Sequence, residues 1–130
     1  MKYLDQLKEA ILSEDTYDTE EVLKQIEEDD NSFEYVKNIL ELMEENPYLD
    51  YGCPGPIVHY MEKYYGNGYE QLLYESVKRK PIAHTLWMLH RIINDVQGEE
   101  KESYINLIKE TANNTDLPED IRSEAQFYLK

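Results

Sequence analysis

Residues able to do chemistry are few in this chain: one cysteine and three histidines among 130 residues. Cys53 lies in 50-DYGCPGP-56, where an imidazole from His59 or His84 could in principle take its proton and make the sulfur a nucleophile. Acidic surroundings disfavour a thiolate, so the plainer reading is an unpaired cysteine in a tight loop. His59-x-x-Glu62 is half of a helical metal motif, but a carboxylate-bridged site needs four inward-facing helices that repeat Glu and Glu-x-x-His. His84 and His90 are six positions apart, about 120° on a helix, and diverge too far to share a metal ion. Gly-rich phosphate loops, HExxH and GxSxG are all missing from the sequence. The expectation is therefore a non-catalytic protein with no metal site and no cofactor.

Binding chemistry is better represented. His84, Trp87, Met88 and Arg91 recur at i, i+3, i+4 and i+7, a second stripe beside the core line of their helix. Two readings are open: Trp87 packs on a neighbouring hairpin with His84 and Arg91 supplying hydrogen bonds, or the stripe faces a partner, because Trp, Arg and Met carry much of the energy at protein interfaces. Of the twelve tyrosines, Tyr64, Tyr65 and Tyr69 fall on core faces. Tyr48 and Tyr51 stand in a loop beside Asp50, and Tyr60 falls at a helix edge, where all three could reach solvent. The candidate partner-binding residues are therefore Asp50, Tyr51, Tyr60, His84, Trp87 and Arg91. The basic island 78-KRK-80 suits neutralisation of acidic neighbours or of the carboxyl end of the preceding helix.

These residues must be positioned by helices. Tyr3, Leu4, Leu7, Ile11 and Leu12 share one face, and 13-SEDTYD-18 interrupts it. Thr16 or Asp18 caps a second helix with Val22, Leu23 and Ile26 inside, which 27-EEDDNS-32 ends. Ser32 caps a third, carrying Phe33, Val36, Ile39, Leu40 and Met43. Prolines and glycines in 46-NPYLDYGCPGP-56 forbid helix until Pro56 opens 57-IVHYMEKYY-65, from which His59 and Lys63 point away from the core. After 66-GNG-68, with Gly66 as a left-handed cap, 69-YEQLLYESV-77 turns Tyr69, Leu72, Leu73 and Val77 inward. Pro81 precedes 82-IAHTLWMLHRIIN-94, whose core line is Ile82, Leu86, Leu89 and Ile93. A helix over 100–112 buries Tyr104, Leu107, Ile108 and Ala112, and a last one, capped by Asp116, buries Ile121, Ala125, Tyr128 and Leu129.

About eight short helices with short turns predict an all-α fold of antiparallel hairpins, arranged as a HEAT-like α-solenoid or as an irregular compact bundle. At this length one domain spanning 1–130 is the expectation. The formal charge is −15. Residues 1–50 hold sixteen Asp and Glu against four Lys and Arg, a net of −12; residues 51–130 hold twelve against nine, a net of −3. Such a field repels phosphate backbones and anionic lipid and attracts basic proteins, so neither nucleic acid nor a membrane is an expected partner. A single cysteine and the polar start MKYLDQLKEA point to the cytoplasm.

The central block resembles a family of small acidic immunity proteins from bacterial polymorphic-toxin and contact-dependent inhibition systems, through GCPGPIVHYME, the GYEQLL run and KRKPIAHTLWMLHRIIN. The resemblance covers about a third of the chain and implies an inhibitor that binds a cognate toxin domain in the cytoplasm. A basic nuclease-type toxin would suit the charge, since an acidic inhibitor is steered to it and competes with nucleic acid for the same surface. The alternative from another class is a HEAT-like adaptor in a cytoplasmic complex.

Overall fold

The computed structural model describes residues 1–29 and 32–130. Among them are eight α-helices, one 3₁₀ turn and no strand, so the chain is all-α, as the apolar spacing predicts. The stretch expected to end the second helix contains Asp30 and Asn31, which lie outside the described residues. Two compact units divide the chain, residues 1–72 and residues 73–130. No helix among the described residues is long and apolar enough to cross a membrane.

The first unit holds α1 (Leu4–Leu12), α2 (Thr16–Glu27), the 3₁₀ turn Ser32–Glu34, α3 (Tyr35–Glu45), α4 (Gly55–Glu62) and the start of α5 (Tyr69–Arg79). The expected core positions are buried at Leu7, Ile11, Leu23, Ile26, Val36, Ile39, Leu40, Met43, Ile57, Val58 and Met61; Leu12, expected inside, is exposed. Each buried Leu or Ile contributes about 1.5–3 kcal/mol, so these stripes outweigh the weak intrinsic propensity of such short helices. The caps differ from expectation. Asp15, not Thr16 or Asp18, caps α2, its carboxylate accepting from the Asp18 N–H at 3.0 Å, because a side chain one residue outside the helix reaches the orphan amide of the third position. Ser32 begins the 3₁₀ turn rather than α3, and its hydroxyl bonds the Tyr64 hydroxyl instead of a helix amide.

The loop before α4 turns on Gly52, at φ +94°, where an added Cβ would stand 2.5 Å from the Gly55 Cα. Only glycine fits there, since the backbone sign and the close approach both exclude a side chain. Pro56 lies in the first turn of α4, as expected. Gly68, at φ +108°, passes under the Phe33 ring, with an added Cβ 2.9 Å from Cζ.

The second unit holds the remainder of α5, α6 (Ala83–Ile93), α7 (Gly98–Asn113) and α8 (Glu119–Phe127). Ile82, Leu86, Leu89 and Ile93 form the buried line expected for α6, widened by Met88 and Ile92. At the head of α6 the Thr85 hydroxyl returns to the Ile82 backbone, accepting from N–H at 3.4 Å and donating to C=O at 3.3 Å. α7 and α8 pack together, with Tyr104, Leu107, Ile108, Ala112, Ile121 and Ala125 buried. Leu129 is exposed rather than buried. Asp116 does not cap α8: its N–H donates to the Asn114 side chain at 3.0 Å, and Pro118 takes the cap position, where no amide donor is needed.

Candidate functional site

The six candidate residues fall into two places. In the loop ahead of α4, Asp50 is exposed, but its carboxylate accepts from the Gly52 N–H at 2.9 Å while its own N–H donates to Glu14 at 2.7 Å. Asp50 therefore ties a turn to the end of α1, and Glu14 reaches it from a left-handed backbone at φ +60°. Tyr51 and Tyr60, expected to reach solvent, are 4% and 1% exposed. The Tyr51 hydroxyl donates to the Asn46 carbonyl, and burial, with Glu14 nearby, pushes its pKa up to about 12. The Tyr60 hydroxyl donates to the Ser32 carbonyl, and burial first, then the neighbouring Tyr64, raises its pKa well above the ordinary tyrosine range. Both hydroxyls are internal donors, and the rings belong to the core; neither forms a rim.

In the second unit, His84, Trp87 and Arg91 come together on α6. The His84 ring meets Trp87 edge-on at 5.3 Å, and the Arg91 guanidinium stands 5.3 Å from the Trp87 ring centroid. All three side chains are half-buried, while Met88 is fully buried. Trp87 is thus held between an imidazole and a cation, a contact worth about 0.5–2 kcal/mol. His90 diverges from His84, as the spacing requires, and stacks on Tyr128 at 4.5 Å.

A larger feature lies where the sequence promised only a steering field. α2 and α4 run side by side: their beginnings share a small cavity lined by Thr16, Thr19, Pro56 and Ile57, and Glu27 at the end of α2 receives Lys63, just past α4, at 2.5 Å. Between them opens a groove of about 600 Å³. From α2 it takes Thr16, Glu20, Leu23 and Glu27, recurring at i, i+4, i+7 and i+11, with Tyr17 and Lys24 on the shoulder. From α4 and its approach come Cys53, Pro56, His59, Tyr60 and Lys63. Leu23 and Tyr60 are buried in its floor, whereas Tyr17, at 69% exposure, stands open on its edge.

The groove brings Cys53 and His59 to one lining, and both are exposed. Its lysines are already held: Lys63 by Glu27, and Lys24 by Glu20 and Glu21, each at 3.7 Å. Tyr17 was missed in the sequence, although a signal existed: it lies half a helical turn from Ile26, opposite the core face. Among the described residues no group of three or more His, Cys, Asp or Glu is arranged to hold a metal ion. No protein-family model, curated protein or solved structure matches the chain.

Proposed function

We propose that this protein is an acidic binding protein that captures a basic partner in the cytoplasm, in the manner of an immunity protein neutralising a cognate toxin domain. The observation that carries the reading is the segregation of charge: residues 1–72 hold eighteen Asp and Glu against five Lys and Arg, a net of −13 of the chain's −15. The same unit contains the α2–α4 groove and the open Tyr17 ring. A field of this size speeds encounter with a basic protein, and an aromatic in a carboxylate setting supplies the anchor that charge alone lacks. The two other ingredients of the resemblance, inhibition without catalysis and HEAT-type stacking of helical hairpins, belong to the same proposal. Pairing of neighbours such as α1 with α2 and α7 with α8 suits that stacking.

The test is genetic and biochemical. Where a neighbouring gene encodes a secreted protein with a toxic C-terminal domain, co-expression of this chain restores growth and the two proteins copurify. Their association rate falls as salt rises. Absence of both rescue and binding would sink the proposal, and a salt-insensitive rate would remove electrostatic steering from it.

A further inference from the structure

We propose that the α2–α4 groove is the docking site for a basic segment of the partner protein, in which one large apolar side chain is flanked by arginine or lysine. This rests on the binding function proposed above and assigns it a place and a ligand chemistry. A volume of about 600 Å³ falls within the usual range for ligand sites of roughly 300–1,000 Å³. The floor of Leu23, Pro56 and the Tyr60 ring is apolar, and Tyr17 can close over an inserted side chain from the edge.

The charge around the groove selects the flanking residues. Residues 14–29, which are α2 and its two ends, carry eight carboxylates and a single lysine. Lys24, between Glu20 and Glu21, and Lys63, on Glu27, offset two of these eight charges and leave a net of −6. The carboxylates also repel one another: Asp18 has its pKa raised above the ordinary value chiefly by Asp15. An arriving guanidinium is attracted by this excess of carboxylates on α2, whereas a phosphate or an acidic peptide is repelled by it. The site therefore discriminates by sign first and by the apolar anchor second.

The probe is a short synthetic peptide in which arginines flank a central tryptophan, carrying a fluorophore and followed by anisotropy on the full chain. An otherwise identical peptide with glutamate for arginine is the comparison. The arginine peptide binds, binding weakens as salt rises, and the glutamate peptide does not bind. Tyr17→Ala and Glu20→Lys each weaken the arginine peptide about tenfold or more, the scale of an interface anchor; both side chains are exposed, and unchanged circular dichroism establishes that the fold is kept. On the unmodified sequence, coupling a bulky maleimide to Cys53, the only thiol and a groove-lining residue, blocks the peptide independently. Phe127→Ala, an exposed aromatic in the second unit, leaves binding unchanged. Failure of the arginine peptide to bind, equal binding of the glutamate peptide, or indifference to both Tyr17→Ala and the Cys53 block would overturn the proposal. The two levels separate: a chain that neutralises a toxin equally well with Cys53 blocked keeps its function and loses the groove, while groove-specific peptide binding without rescue keeps the groove and loses the toxin.

Discussion

Replacing Tyr60 by phenylalanine separates a structural tyrosine from a contact residue. The ring is kept, so the packing of a side chain that is 1% exposed, and its edge-on contact with Tyr64 at 5.8 Å, survive. What is lost is the hydroxyl that donates to the Ser32 carbonyl. A neutral hydrogen bond contributes about 0.5–1.5 kcal/mol net, and an acceptor left inside without its donor costs about 1–3 kcal/mol. The expected loss is about 1–2 kcal/mol. At the heat-capacity and entropy scale of a domain this size, that lowers the melting temperature by about 4–10 °C. Tyr60→Ala, which also empties the ring's volume, costs about 3–5 kcal/mol. Urea and thermal unfolding followed by circular dichroism measure both, and the arginine peptide measures the groove in parallel. Because phenylalanine leaves the groove floor apolar, peptide affinity for Tyr60→Phe stays within about twofold, below the threshold of an anchor residue. The reverse pattern, stability within about 0.5 kcal/mol of the parent and a tenfold weaker complex, would refute the internal assignment of this hydroxyl and restore Tyr60 to the surface.

Alkaline titration makes a second test through Tyr51. Its folded pKa of about 12 exceeds the ordinary value of 10.0, so the neutral form is favoured by folding: the stabilisation is intact below pH 10 and is lost as pH rises toward 12. Tyr51→Phe, which removes the hydroxyl's bond to the Asn46 carbonyl, is less stable than the parent at pH 7 by about 1 kcal/mol, and the gap closes in alkali. A constant gap from pH 7 to pH 12 would contradict this. Gly52→Ala places a Cβ 2.5 Å from the Gly55 Cα on a backbone at φ +94°. Strain at such a position is about 1–3 kcal/mol before the clash is counted; the loop ahead of α4 must move, and stability falls by more than for Gly55→Ala, where φ is +84° but nothing lies within 4 Å. Equal losses in the two variants would remove the close approach as the reason for Gly52.

The helices were legible because their evidence is periodic and local. Ile82, Leu86, Leu89 and Ile93 are buried where the spacing placed them, and His59 and Lys63 point outward from α4. Periodicity has no authority over the loop 46–54, and there the reading of Tyr51 failed: its ring turns back so that its hydroxyl meets Asn46. Tyr60 failed for a different reason. It sits at the edge of its own helix, and its burial depends on the turn at Ser32, twenty-eight residues earlier. The caps show the same boundary. Asp15 is one position from Thr16 and three from Asp18, the two residues expected to cap α2, and Ser32 bonds Tyr64 in the turn after α4 instead of a helix amide. The groove required knowing that α2 and α4 are neighbours, which neither helix encodes alone.

Tyrosine is how so acidic a chain assembles a core. A phenylalanine ring beside carboxylates gives them nothing, whereas a tyrosine ring can be buried while its hydroxyl donates to an oxygen at the core's edge. This chain does so repeatedly. Tyr104 donates to Glu100 at 3.0 Å and Tyr128 to Glu124 at 2.7 Å, each across one helical turn, and Tyr65 donates to Glu62 at 3.2 Å. The consequence for Tyr128 is a pKa raised by burial first and by Glu124 next, so its donor persists far above neutrality. Pairs of the Glu-x-x-x-Tyr kind are visible in the sequence, and the long-range bonds of Tyr51 and Tyr60 are not. Tyr17, like Tyr48, breaks the pattern: it is exposed, on the groove side of α2 with Glu20 and Lys24. Folding does not use that ring as it uses the buried ones, and its setting of carboxylates beside a groove is what a basic, apolar-tipped partner segment requires.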